Sequence, residues 1–461
     1  MKLVVVGIDG GSFELMDKWI DHLPNLKHAK NNGVWADMQS VLPPVTSPNW
    51  KCYSTGLNPA KIGIFYWENI IWSQHRVYYP NERKNSNNEI WDYLGVAGNS
   101  VRIVGVPLTY PPKPVNGSLI SGPPDAMDKG FVYPRKWEEE VKLMGYKPGF
   151  NHSIITDREK AKEELLGKIR TTFEVTKFFG IKNPDFIHVT SFYINELQHY
   201  LWDDPVTLEG WKIIDNFVGW ALSKSENVMV MSDHGSNKIT ATFNINTWLE
   251  HKGYLKLKGS IVRLRKLGLT KELGAGLLKF PWLIDKVRKF LPGSLYESIP
   301  LEGGNVTLNP KEKSVDWTRS RALASDQGPI YLSEDLGIKE PKTLENIILG
   351  LEALDTIVER VYTKKELYKG PYYEEAPDLV VDYKPGIHIS SGLGLKEEVT
   401  VGSKRWLAEN KKQGMFIALG KDIKVKGKLE KASILDLAPT ILSLYGIDKP
   451  EEMDGKVLEV L

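Results

Sequence analysis

Short apolar runs alternate with stretches of helical spacing along most of this chain. Leu3-Val4-Val5-Val6-Gly7-Ile8 opens the series, and Val101–Val106, Phe186–Thr190, Val228–Met231, Leu379–Asp382 and Met415–Leu419 read as further strands. Near-continuous apolar character over so few residues marks strands buried on both faces. Between two of them, Leu165, Ile169 and Phe173 recur at i, i+4 spacing, which predicts a helix from Asp157 to Phe179. Asp157 serves as its N-cap and Gly180 as its stop. The alternation predicts an α/β fold, a mainly parallel central sheet flanked by helices on both faces. There is no internal repeat and no low-complexity tract.

With 461 residues the chain exceeds what one small core needs, so it forms one large domain with insertions or two domains. Residues 255–290 break the alternation: they hold ten Lys or Arg against only Glu272 and Asp285, interleaved with Leu, Ile, Val, Phe280 and Trp282. We read 255–310 as a basic helical insertion, a cap or lid, between a first core part at 1–254 and a second at 311–461. Its basic face is either simply solvated, or meets a membrane surface or partner, or covers an anionic substrate.

Composition narrows the class without naming a function. Lys plus Arg number 60 and Asp plus Glu 58, so a net charge of +2 carries no nucleic-acid-binding signature. The single cysteine, Cys52, excludes an intrachain disulfide and suits a reducing compartment. Met1-Lys2 runs directly into the first strand with no cleavage site, and no apolar run reaches the roughly 18–20 residues of a membrane span. A cytoplasmic protein is the expectation.

Two of the predicted strands end on acids: Ile8-Asp9 and Met231-Ser232-Asp233-His234-Gly235. In open α/β sheets, catalytic groups collect at the carboxyl ends of parallel strands. Between these in sequence lies Thr46-Ser47-Pro48, where Pro48 suits a first helical turn and puts Thr46 and Ser47 at a helix N-terminus. Read alone, Thr46 is either an N-cap or a hydroxyl nucleophile poised at a phosphate site. Asp9, Thr46, Asp233 and His234 together can hold a divalent cation and activate an alcohol.

These segments fall in an ordered series: Gly7-Ile8-Asp9-Gly10, Leu42-Pro43-Pro44-Val45-Thr46-Ser47-Pro48-Asn49-Trp50, Thr55-Gly56-Leu57-Asn58-Pro59, Pro107-Leu108-Thr109-Tyr110-Pro111-Pro112, Ser232-Asp233-His234-Gly235, Ala376-Pro377-Asp378-Leu379, Asp436-Leu437-Ala438-Pro439-Thr440 and Met453-Asp454-Gly455. The series resembles the alkaline phosphatase superfamily, in particular its type I phosphodiesterase / nucleotide pyrophosphatase family of prokaryotic phosphohydrolases. The resemblance implies an alkaline-phosphatase-like core, a two-metal site of Zn, Mn or Mg, and a phosphate-ester substrate. It also implies a covalent phosphoryl-enzyme on Thr46, with Ser47 the fallback nucleophile. One ion would sit on Asp9, Thr46, Asp233 and His234.

The second ion is where the chain departs from the family. An Asp-x-x-x-His pair and a later His are expected, but Asn195-Glu196-Leu197-Gln198-His199 keeps only His199. Asn410 stands four residues before Gly414, where the later His belongs, and Ile62 replaces another usual His. Amide oxygens suit Zn²⁺ poorly. Glu196 and His388 are the candidate substitutes. The expectation is one well-bound ion and a degenerate second site. Three readings are open: a phosphodiesterase acting through phospho-Thr46, a phosphotransferase using the same intermediate, or an impaired family member that binds a phosphorylated ligand or partner.

Overall fold

The computed structural model describes residues 1–79, 86–149, 157–259, 310–334, 341–403 and 406–461. Its central strands are β1 (Leu3–Ile8), β2 (Val34–Gln39), β3 (Val101–Val106), β4 (Gly117–Ser121), β5 (Phe186–Ser191) and β6 (Asn227–Met231). Two more pair beside the sheet's end, β7 (Gly235–Lys238) and β8 (Ala408–Lys411), and β9 (Gln413–Gly420) returns into it. The spatial order is β2-β9-β6-β1-β5-β3-β4, with short strands at both margins. β6, β1, β5, β3 and β4 run parallel. β9 is antiparallel to both β2 and β6, and at the far margin the short strand Val132–Tyr133 is antiparallel to β4.

The period-two geometry of a strand sends alternate side chains to opposite faces. Val4, Val6 and Ile8 of β1 enter one hydrophobic cluster, together with Leu165, Ile169 and Phe173 of a helix at Arg158–Gly180. Leu3 and Val5 enter the other, with Trp50, Tyr53, Ile441 and Leu442. Both faces are therefore covered, which is why these strands read as unbroken apolar runs. The helix expected at 157–179 starts where predicted, and the Asp157 side chain accepts from Lys160 N.

Leu379–Tyr383 is a strand, but it belongs to a separate antiparallel sheet with Ala322–Ala324, Pro329–Leu332 and Val358–Thr363. That sheet has its own core, including Trp248, Ile330, Leu379 and Val381. A short apolar run cannot announce which sheet it joins. The basic stretch at 255–290 falls mostly at residues 260–309, outside the described residues. Its flanks are adjacent, since Lys258 N–H donates to Ser314 O at 2.9 Å. No helix among the described residues is long and apolar enough to cross a membrane.

Gly7 shows how the strand admits the site. A Cβ there would lie 2.6 Å from Trp50 Cη2 and 3.2 Å from Cζ3, so the bare backbone lets the indole lie against β1. Gly7→Ala should destabilise the protein by about 1–3 kcal/mol through overpacking. In Gly7→Ala/Trp50→Phe the added methyl enters the space left by the missing ring, so the double variant should cost less than the sum of the singles. Denaturant melts of the four proteins check this; strict additivity would show that Trp50 does not set the requirement for glycine.

Candidate metal centre and nucleophile

β5, β1 and β6 lie side by side, so the segments leaving their carboxyl ends meet at one edge of the sheet. Asp9 comes directly after β1, Asp233 and His234 after β6, and α1 (Tyr193–Leu201) after β5. The helix at Thr46–Thr55 points its N-terminus at the same place. It begins after extended Val45, holds Pro48 in its first turn, and ends on Gly56 at φ +68°. No side chain caps it. The amides of its first turn are thus left for a ligand, and the helix dipole favours an anion there.

The structure brings Asp9, Thr46, Asp233 and His234 together, all buried. Thr46 Oγ1 lies 3.3 Å from His234 Nε2 and 3.5 Å from Asp9 Oδ1. His234 Nε2 is 3.1 Å from Asp233 Oδ2 and 3.7 Å from Asp9 Oδ1. His234 Nδ1 is 2.9 Å from Gly235 O, which places the ring proton on Nδ1. Burial also holds the imidazole's pKa down, so Nε2 presents a lone pair. Asp233 Oδ2 has no hydrogen-bond partner. Four electron-rich atoms therefore converge. A tetrahedral ion with bonds of about 2.0–2.1 Å needs ligand separations of about 3.3 Å, which these distances bracket. Among the described residues, Asp9, Asp233 and His234 are the one group of acids and histidines placed to hold a metal ion.

Electrostatics agree with that fit. Burial raises the Asp9 carboxyl well above its ordinary range, and the neighbouring Asp233 adds to the rise. Burial pushes Asp233 up to about 8. Two desolvated carboxylates at one point are costly unless a cation or a proton neutralises them.

Asp9 is also held by groups that the sequence did not announce as functional. Trp50 Nε1 donates to Asp9 Oδ2 at 2.8 Å, and Asn195 Nδ2 donates to Oδ1 at 2.8 Å. Trp50 stands four residues after Thr46, one helical turn on, and that spacing was the available signal. Gly10 sits at φ +65° and its N–H donates to Asp233 Oδ1 at 3.2 Å.

The second position is differently made. His199 Nδ1 lies 2.8 Å from Ala408 O, and the ring stacks on Trp406 with centroids 3.7 Å apart. Burial lowers its pKa to about 4, so it is neutral. Asn195 turns its NH₂ toward Asp9. Asn410 is buried with Oδ1 unpartnered. Of the candidate substitutes, Glu196 is buried beside Asn195 on α1, its pKa raised to about 8 by burial and by Asp9. His388 Nδ1 is hydrogen-bonded to Glu409 Oε2, while Glu409 Oε1 accepts from Gln327 Nε2 and Asn410 N. Ile62 is fully buried. One neutral imidazole and two amides offer no anionic ligand, so this set does not fit a second tightly held divalent cation. Ser47 is buried next to Thr46 with Oγ unpartnered.

Comparison with known proteins bears on the fold and the family. Phosphonoacetate hydrolase from Sinorhizobium meliloti, in complex with phosphonoformate, superposes with a TM-score of 0.63 at 14% identity, covering 96% of this chain and 95% of that one. Murine ectonucleotide pyrophosphatase / phosphodiesterase 5 in complex with AMP gives 0.53 at 14% identity over 97% and 95%. Its human counterpart gives 0.54 at 15% over 99% and 97%. No curated protein matches in sequence. The family model described as type I phosphodiesterase / nucleotide pyrophosphatase matches residues 3–407. With the alkaline-phosphatase-like sheet and a match over most of its length, the chain belongs to the type I phosphodiesterase / nucleotide pyrophosphatase family of phosphoric ester hydrolases.

Proposed function

We propose that the protein hydrolyses a small phosphate ester through a phospho-threonine intermediate on Thr46, using one divalent cation. The observation that carries this reading is the convergence of Thr46 Oγ1 with His234 Nε2 and Asp9 Oδ1 at an uncapped helix N-terminus. Asp9, Thr46, Asp233 and His234 would hold the ion, of Zn, Mn or Mg type, which when bound supplies positive charge that favours the Thr46 alkoxide. Thr46 Oγ gives its proton to solvent and attacks phosphorus, the P–O bond to the ester oxygen breaks, that oxygen takes a proton from solvent and leaves as the alcohol, and the first-turn amides of the Thr46–Thr55 helix donate to the phosphoryl oxygens. Water then attacks phosphorus, the P–Oγ bond breaks, the phosphate product leaves, and a proton from the attacking water restores the Thr46 hydroxyl. Phosphonate and AMP complexes of the structural neighbours support a small phosphorus-containing substrate. An alcohol acceptor in place of water would make the same intermediate a phosphotransferase. The amides at Asn195 and Asn410 favour the alternative of a slow or inactive member that retains phosphate binding.

Stopping turnover of an aryl phosphodiester in acid and mapping the peptides should find on Thr46 a phosphoryl group that still carries the ester substituent that did not leave. Thr46→Ala should form no adduct, whereas Ser47→Ala should still form one. No adduct in the unmodified protein under turnover would exclude the covalent route. Asp233→Ala and His234→Ala should each lose the bound metal, read by elemental analysis, and unchanged content in both would remove them from the ligand set.

The pH dependence has a definite sign. An unfolded Asp releases its proton near about 4, while folded Asp233 keeps its proton up to about 8. Between those values the folded chain binds the extra proton, so stability falls as pH rises. In chelator the melting temperature should therefore decline from about pH 4 to about pH 8, and Asp233→Asn should flatten the slope. Cation affinity should climb over the same window, because binding must expel that proton. A melting profile identical in the two proteins would contradict the assignment.

A further inference from the structure

Asn195 occupies the position of a lost carboxylate, yet it is embedded in a continuous set of buried hydrogen bonds. Trp211 Nε1 donates to Gln198 Oε1 at 3.2 Å. Gln198 Nε2 donates to Gly10 O and to Ser236 Oγ, both at 3.1 Å. Ser236 Oγ faces Gly10 O at 2.8 Å and Asn195 Oδ1 at 3.3 Å. Asn195 Nδ2 completes the series on Asp9 Oδ1 at 2.8 Å. Trp211, Gln198 and Ser236 are fully buried and Asn195 nearly so, at 3% exposure.

The direction of these bonds is dictated at both ends. An indole N–H can only donate, so Gln198 must turn its oxygen to Trp211 and its NH₂ to Gly10 and Ser236. The Ser236 oxygen, already accepting from Gln198, then directs its one proton to the carbonyls of Gly10 and Asn195. Asn195 therefore shows oxygen to Ser236 and NH₂ to Asp9 Oδ1, which accepts at 2.8 Å and, once a cation is held, belongs to a carboxylate that can only accept. An Asp at 195 would satisfy Ser236 equally well but would set a second negative charge against Asp9. The same relay reaches the other carboxylate, since the Gly10 carbonyl accepts from Gln198 and Ser236 while its N–H donates to Asp233 Oδ1 at 3.2 Å. Gly10 has no room for a side chain: a Cβ would lie 2.3 Å from Asn195 Oδ1 and 2.6 Å from Ser236 Oγ.

We infer that the second cation position has been rebuilt as a hydrogen-bond relay, in which Asn195, Ser236 and Gln198 are positioning residues that orient Asp9 and Asp233 for a single ion. The inference rests on the proposed cation site. Groups that hold metal ligands in place are commonly worth about 10–100-fold in metal affinity, which sets the scale of the expected effect.

Calorimetric titration with Mn²⁺ alone, together with melts in chelator, tests it on the full chain. The unmodified protein should bind one Mn²⁺. Ser236→Ala, which removes only a hydroxyl, should weaken binding by about tenfold or more while the chelated protein melts within a few degrees of the original. Asn195→Leu, of similar size but without the donor, should weaken binding at least as much. The double variant should bind no worse than about Asn195→Leu alone, because both changes cut one relay. Two Mn²⁺ in the unmodified protein would overturn the inference, as would unchanged affinity in Ser236→Ala. Should Asn195→Leu fail to fold, Ser236→Ala alone decides. An unmodified protein that binds no Mn²⁺ overturns the cation site itself, and this inference with it.

Discussion

Two carboxylates, Asp9 and Asp233, are buried at one edge of the sheet beside an imidazole, a hydroxyl and a few N–H groups. Charges taken out of water in this way are tolerated only when other groups supply compensation. The surroundings are organised to that end. Trp50 covers one oxygen of Asp9, Asn195 the other, and a Gly10 peptide too tight for any side chain addresses Asp233. A helix N-terminus contributes partial positive charge from the fourth side. The strand order meets the same need, because only adjacent strands can deliver both acids to one point.

Much of the architecture was legible because strands covered on both faces write themselves as apolar runs. β1, β3, β5, β6 and β9 lie where the pattern places them, and Asp157 caps the helix it was expected to cap. Assignment of strands to sheets was not legible: Leu379–Tyr383 has the same apolar signature as β6 but serves a separate antiparallel sheet. Pairing partners are chosen by long-range packing, which no local window contains.

At the site, residues were visible in proportion to how far their type departs from a structural norm. An acid ending an apolar run stands out, so Asp9 and Asp233 did. Trp50, Ser236, Gln198 and Trp211 did not, because buried tryptophans and hydroxyls are ordinary core residues until their partners are known. Asn195 was visible only as a departure from a family pattern. A missing charge could be read from the sequence; the hydrogen bond that stands in its place required the fold.

β9 carries a further consequence. It alone joins β2 to β6, and it lies at Gln413–Gly420, long after both partners in the chain. During synthesis β2 and β6 therefore wait with unpaired backbone edges facing each other across an empty lane. Exposed edges of this kind invite pairing with other chains. The lane can be filled only after Gln413–Gly420 has left the ribosome. Early stop codons upstream of β9 would thus yield chains that carry β2 and β6 with an open sheet between them, and the cell's chaperones would meet this protein as a late-closing client.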